Sequence, residues 1–187
     1  VLFSGGLGMI SATQDQTDAF TDDIDELEAF ERINQEFGSS FGDSGVSTQV
    51  IHAGDNVLAK QSLARNLRLI EAADERAALR VESAAGPATV IARTIEPTAD
   101  TPESQRLAIE RATPSEIRAA VRANSDNPRF TRGLSNDFNA RAAAASASVT
   151  PISHDFPPEG GDAASVQLGV KSLADDTTGD FRVFGDG

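Results

Sequence analysis

Val46-Ser47-Thr48-Gln49-Val50-Ile51-His52-Ala53-Gly54-Asp55-Asn56 is the stretch from which the fold is read. Val46, Thr48, Val50 and Ile51 are β-branched, a residue type that suits a pleated surface and is stiff in a helix. Gly54-Asp55-Asn56 then supplies turn chemistry. The reading is a strand over Val46–Ala53 followed by a turn. Beyond the turn, Leu63, Leu67, Ile70 and Ala73 recur at helical spacing, which predicts a helix from Lys60 to Ala78. Leu79-Arg80-Val81-Glu82-Ser83 predicts a short second strand, so this part of the chain runs strand, helix, strand.

Further along, Ala84 to Ile95 reads as helix after Pro87, with Val90 and Ile91 leaving a strand open. Two helix starts are explicit. Thr101-Pro102-Glu103 and Thr113-Pro114-Ser115-Glu116 each place Thr at the N-cap and Pro at the first helical position, and Glu116 completes a capping box. Leu107 and Ile109, then Ile117, Ala120 and Val121, form the apolar faces. Asn124-Ser125-Asp126-Asn127-Pro128 ends this pair, and Phe130, Leu134 and Phe138 fall on one further turn or two. Ala140 to Ile152 is alanine-rich, which favours helix, but its second half is read as strand. His154 to Asp162 reads as a loop, Ala163 to Ala174 as a helix, and Phe181-Arg182-Val183-Phe184 as a closing strand.

Upstream of the opening strand, Thr21-Asp22-Asp23 precedes Ile24, Leu27, Phe30, Ile33 and Phe37 at helical spacing, and Gly38 ends that run. Removing this helix and the helical middle leaves β-α-β-β-α-β. The expectation is therefore α+β: a ferredoxin-like core with an N-terminal helix and a helical insertion over about 84–139. No internal repeat and no sustained heptad are visible.

Charge narrows the function classes. Sixteen Lys and Arg face 29 Asp and Glu, a net charge of −13, and the acids are dispersed over the chain. Dispersed acids on a periodic apolar pattern point to a folded protein adapted to high salt rather than a disordered tail. The same charge argues against nucleic acid and anionic membrane surfaces as partners, since both attract basic patches. Cysteine is absent, which removes disulfides, thiolate nucleophiles and Cys metal sites together. The opening Val1 to Ile10 is apolar but half the length of a membrane-spanning helix, which needs ~20 residues.

Residues suited to chemistry are few. His52 and His154 are the only histidines; each is available in principle to a Ser-His-Asp arrangement, but no G-x-S-x-G elbow accompanies them. His52 falls in a strand and His154 at a strand end, where an exposed or structurally satisfied imidazole is the expectation. A small hydrolase using His154 ranks last among the functions. Asp22-Asp23-Ile24-Asp25-Glu26 and Asp175-Asp176-Thr177-Thr178-Gly179-Asp180 lack the alternating acids and central glycine of a calcium loop. They read as a helix start and a turn. Gly6-Leu7-Gly8 lacks the third glycine of a dinucleotide fingerprint. No catalytic, cofactor or metal site is assigned.

The order of segments resembles the first extracytoplasmic loop of the resistance-nodulation-division exporters, in the lipid-exporter-like branch predicted across archaea. Val1 to Ile10 is similar to the end of that family's first membrane helix, with residues 1–20 as helix end and linker. Phe20-Thr21-Asp22-Asp23 through Glu36-Phe37-Gly38 resembles the acid-rich helix start and aromatic-glycine ending. Thr48-Gln49-Val50-Ile51 followed by Gly54-Asp55-Asn56-Val57-Leu58 resembles the first porter strand and its turn. Leu134-Ser135-Asn136-Asp137 looks like the Ser-x-Asp stretch before a later strand. Phe181-Arg182-Val183-Phe184-Gly185-Asp186-Gly187 looks like the strand and glycine turn before the second membrane helix.

The resemblance implies an extracytoplasmic porter-type domain over 21–187, at the cell membrane and without enzymatic activity or cofactor. It implies that apolar or amphiphilic, lipid-like cargo is guided outward. Its implied partners are the rest of the same transporter and further copies of the chain in a homo-oligomer. Proton-coupling residues of that family lie in membrane helices, so none is carried over. Leu63, Leu67 and Phe130 are candidates for a cargo groove, with core packing the stronger expectation. A free-standing secreted binding or adhesion module is the alternative.

Overall fold

The structure is a computed structural model that describes residues 46–155 and 163–185. The segment Val1 to Ile10, the helix expected over 21–37 and most of the loop expected after His154 lie outside the described residues.

The described chain is α+β. Its elements are β1 (Val46–Ala53), α1 (Lys60–Glu75), β2 (Val81–Ala84), α2 (Pro87–Ile95), α3 (Pro102–Arg111), α4 (Pro114–Ala123), α5 (Pro128–Thr131), β3 (Ala147–His154), α6 (Ala163–Asp176) and β4 (Asp180–Gly185). The strands form one sheet in the order β2-β3-β1-β4. β1 pairs antiparallel with both β3 and β4, and β3 pairs antiparallel with β2. Two strand–helix–strand units, β1-α1-β2 and β3-α6-β4, are therefore interleaved, each placing its second strand one position over. That is the split arrangement of a ferredoxin-like core. The helices α2 to α5 occupy the connection between β2 and β3, a tight turn in the minimal form of this fold.

Side chains alternate across a strand, and β1 buries the described residues of one face and Ile51 of the other. Thr48, Val50 and His52 share one face and are all buried. Val50 and Ile152 pack there with Leu69 and Ala73 of α1 and Val166, Val170 and Leu173 of α6. A second apolar cluster forms on the other side of α1. Leu63, Leu67 and Ile70 meet Ile91 of α2, Ile109 of α3, Ile117 and Val121 of α4, and Phe130 of α5. Helix α1 is thus shared between two cores. Beside them Arg106 of α3 donates to both carboxylate oxygens of Glu71 on α1, at 2.5 and 3.2 Å, and to Glu110 at 2.9 Å.

Several boundaries differ from the sequence reading. Helix α1 stops at Glu75 because Arg76 leaves helical geometry (φ −86°, ψ 88°); Ala77–Leu79 form a 3₁₀ turn, and Arg80 sits in the left-handed region at φ 45°. Leu79 consequently belongs to the sheet core and not to β2. The ambiguous stretch after Ala84 is helix, begun by Gly86 as N-cap and Pro87 at the first position. Glycine is required there by space: a Cβ on Gly86 would stand 2.3 Å from Thr150 Oγ1.

Both Thr-Pro starts cap their helices as read, and α3 has a capping box too, through Ser104. Leu107 is half-buried, and Gln105 and Ala108 join Ile109 on the buried face instead. Only Phe130 lies on α5; Phe138 comes from the following turn to meet it edge-on, centroids 5.7 Å apart. The alanine run does not form a helix: Asn139 and Ala144 exchange backbone hydrogen bonds at 2.8 and 3.2 Å, with Ala143 at φ 52°. Tertiary packing overrides alanine's helix propensity here, since Ala143 and Ala145 are buried in the second core. β3 then continues through His154, which is a strand residue and not the first of a loop.

Candidate functional site

His154 is tied on both ring nitrogens. Nδ1 lies 2.7 Å from the carbonyl oxygen of Leu79, and Nε2 lies 3.0 Å from Thr48 Oγ1. A carbonyl only accepts, so Nδ1 donates and Nε2 accepts from the threonine hydroxyl. Burial lowers the imidazole's pKa, and the bond to Leu79 opposes that shift. The ring joins β1, β3 and the 3₁₀ turn, which is a structural duty.

His52 is different. It is buried to 2% exposure, stacks on Phe181 of β4 at 4.3 Å, and its Nδ1 has no hydrogen-bond partner. Its pKa is pushed down to about 4, first by burial and then by the charge of Arg65, with Asp180 pulling the other way. These groups meet at an open depression of about 460 Å³ lined by His52, Gly54, Asn56, Ser62, Arg65 and Asp180, among others. Register explains the grouping: His52 pairs with Phe181 and Ala53 with Asp180 across β1 and β4, while Ser62 and Arg65 lie on successive turns of α1 facing the end of β1. A serine, a histidine and an aspartate share this hollow. Neither Ser62 nor Asp180 hydrogen-bonds the imidazole, so no nucleophile–base relay is formed.

Among the described residues Arg65, half-buried, has no ion pair or hydrogen bond, in contrast to the paired Arg106. The sequence reading passed over Arg65 because it followed the apolar stripe of α1. The signal present was a cation-rich start, Lys60 and Arg65, in a chain with excess acid.

Leu63, Leu67 and Phe130 are 2%, 0% and 0% exposed and serve the second core. Asp22 to Glu26 lie outside the described residues. Asp175 and Asp176 end α6 and Asp180 opens β4. Among the described residues no group of three His, Cys, Asp or Glu side chains is placed to hold a metal ion. The Ser-x-Asp stretch forms a clasp: Ser135 Oγ donates to Asp137, the Ser146 N–H donates to both Asp137 oxygens at 3.1 Å, and the Ala147 N–H donates to Ser135 Oγ at 3.0 Å. The Ser135 hydroxyl, then the Ser146 amide, hold the Asp137 carboxyl below its usual range. The clasp fixes the entry to β3.

A second depression, about 480 Å³, opens on the helical insertion between Ile95, Ala99, Leu107, Arg111 and Glu116. Among the described residues, Leu168 on α6 is a large apolar side chain left mostly exposed, at 65%. No helix among them is long and apolar enough to cross a membrane. No family model, curated protein or solved structure matches the chain.

Proposed function

We propose that the chain is a porter-type extracytoplasmic domain of a proton-driven exporter of the resistance-nodulation-division kind, acting by binding and displacement and not by catalysis. The observation that carries this reading is the interleaved sheet, order β2-β3-β1-β4, found in the place the segment order leads one to expect it. A fold does not assign a function by itself; the warrant is the fold taken with the succession of motifs from Thr48 to Phe184. In this reading the partners are the remainder of the same transporter and further copies of the chain, at the outer side of the cell membrane.

The packing suits displacement. Close-packed interiors transmit motion instead of absorbing it, and α1 belongs to both cores. A push on the insertion is therefore delivered through α1 to the sheet, as rigid-body transitions require. Half-buried Ile95 and Leu107 at the mouth of the insertion's depression offer the apolar contact for an amphiphile, and Arg111 and Glu116 offer polar contact for its headgroup.

The test is to sequence the reading frame on both sides of Val1 and Gly187. Apolar runs of ~20 residues on each side are expected. A stop codon soon after Gly187 would sink the exporter reading and leave a secreted binding or adhesion module.

A further inference from the structure

The acids are spread along the chain, but the cations are not. From Asp15 to Glu36 nine acids stand against one cation, Arg32, whereas from Arg118 to Arg141 five arginines stand against two acids, Asp126 and Asp137. Arg118, Arg122, Arg129, Arg132 and Arg141 are all exposed. Among the described residues none of the five forms an ion pair; the paired arginines are Arg68, Arg80, Arg106 and Arg182. Asp137 is committed to the clasp with Ser135 and Ser146, so Asp126 alone is left to offset them.

Helix geometry gathers these cations. Ile117, Ala120 and Val121 face the core of the insertion, so Arg118 and Arg122, four apart, stand together on the outer side of α4, where like charges repel. Arg122 donates to the carbonyl oxygen of Arg141 at 3.4 Å, which places the backbone of a third arginine beside them. Arg129 and Arg132, three apart, follow on α5 and at its end. Arg122 and Arg129 also complement a helix dipole from the last turn. Arg118 and Arg141 have no such duty.

We infer that this arginine face docks a second copy of the chain, through that copy's acidic stretch Asp15 to Glu36. The guanidinium fork matches a carboxylate, and that stretch holds the densest run of acids in the sequence. Strand β1 starts at Val46, opposite His154, and ends at Ala53, opposite Ala147, about 23 Å away at the rise of a strand. The insertion returns to the sheet at that second end, where the Gly133 carbonyl accepts from the Val149 N–H. A second copy turned end for end brings the chain upstream of its own Val46 toward the arginines, and a two-fold pair makes the contact twice. The inference names where copies meet and does not rest on the exporter reading, because self-association is measured whatever flanks the reading frame.

The experiment is sedimentation velocity of the full chain over a wide concentration range, in 0.15 M and in 1 M salt, where the Debye length is ~8 Å and ~3 Å. Expected is a reversible dimer with a Kd of roughly 10–100 µM at the lower salt, weakened about tenfold at the higher. Arg118→Glu with Arg122→Glu should weaken it about tenfold or more, as should Asp22→Asn, Asp23→Asn and Asp25→Asn together. Lys171→Glu reverses an exposed cation on α6 and should leave the dimer within about twofold. Should the double reversal fail to fold by circular dichroism, Arg118→Gln with Arg122→Gln takes its place. A monomer at every concentration, or a dimer that either the arginine or the aspartate variants leave intact, overturns the proposal. Phosphatidylglycerol vesicles form a parallel arm. Cosedimentation of a monomeric chain with them, lost in the arginine variants, would reassign the face to an anionic lipid and overturn the second copy.

Discussion

The imidazole of His52 lies face to face with the ring of Phe181, planes 18° apart, and the two residues are also cross-strand partners in β1 and β4. Burial, and then the charge of Arg65 nearby, holds the imidazole neutral.

The consequence is a pH dependence with a definite sign. The unfolded histidine titrates near 6.5 and the folded one near 4. Between these values the unfolded chain takes up a proton that the folded chain refuses, so stability falls as pH falls. The contribution is fully present above pH 6.5 and lost by about pH 4, a span of about 3 kcal/mol. His52→Phe should flatten the slope of unfolding free energy over that window, as measured by guanidinium chloride denaturation. His154 shifts in the same direction but is present in both proteins, so the difference isolates His52. An unchanged slope would show that His52 is not neutralised by its surroundings.

Gly86 approaches Thr150 too closely for any side chain. Gly86→Ala should destabilise by about 2 kcal/mol through overpacking, and Thr150→Ala in the same chain should recover part of the loss. Thermal unfolding of the single and double variants decides. A single variant as stable as the parent would refute the close approach.

Thr89, in the first turn of α2, is buried with its hydroxyl unpartnered. Removing the hydroxyl and keeping the shape should therefore stabilise. Thr89→Val is expected to raise the unfolding free energy by about 1 kcal/mol. A loss of stability would mean that the hydroxyl has a bonded partner in solution.

Much of this architecture could be read from residues whose effect is local. Thr-Pro starts at 101 and 113 announce α3 and α4 because the cap and the ring act within one turn. β1 was legible from its own β-branched residues. α2 was ambiguous because nine residues with Val90 and Ile91 at their centre suit strand as well as helix, and Pro87 resolves it. In the alanine run propensity alone points to helix, yet its second half was read as strand and forms β3; the burial of Ala143 and Ala145 that shapes its first half is a long-range effect. The hollow at His52 was not legible at all. Phe181 and Asp180 reach it only through the β1–β4 register, and Arg65 shows itself as unpaired only once the other charges of the described residues have been placed.

Low salt supplies a further measurement. With −13 net charge, self-repulsion grows as screening falls, the Debye length lengthening from ~3 Å at 1 M to ~30 Å at 0.01 M. Dialysis to low salt should diminish the far-UV helix signal, with recovery on restoring salt. Full retention would dissociate the acidic composition from any requirement for salt.

The sharing of α1 has a consequence for how the domain comes apart. Leu63, Leu67 and Ile70 are committed to the insertion's core while Leu69 and Ala73 are committed to the sheet's. Stripping the insertion away would leave a helix in the sheet layer with one flank of bare leucine and isoleucine facing water. The insertion is therefore not an ornament that evolution or an engineer can trim back to a minimal sheet, because the helix that carries the sheet's apolar layer also carries the insertion's.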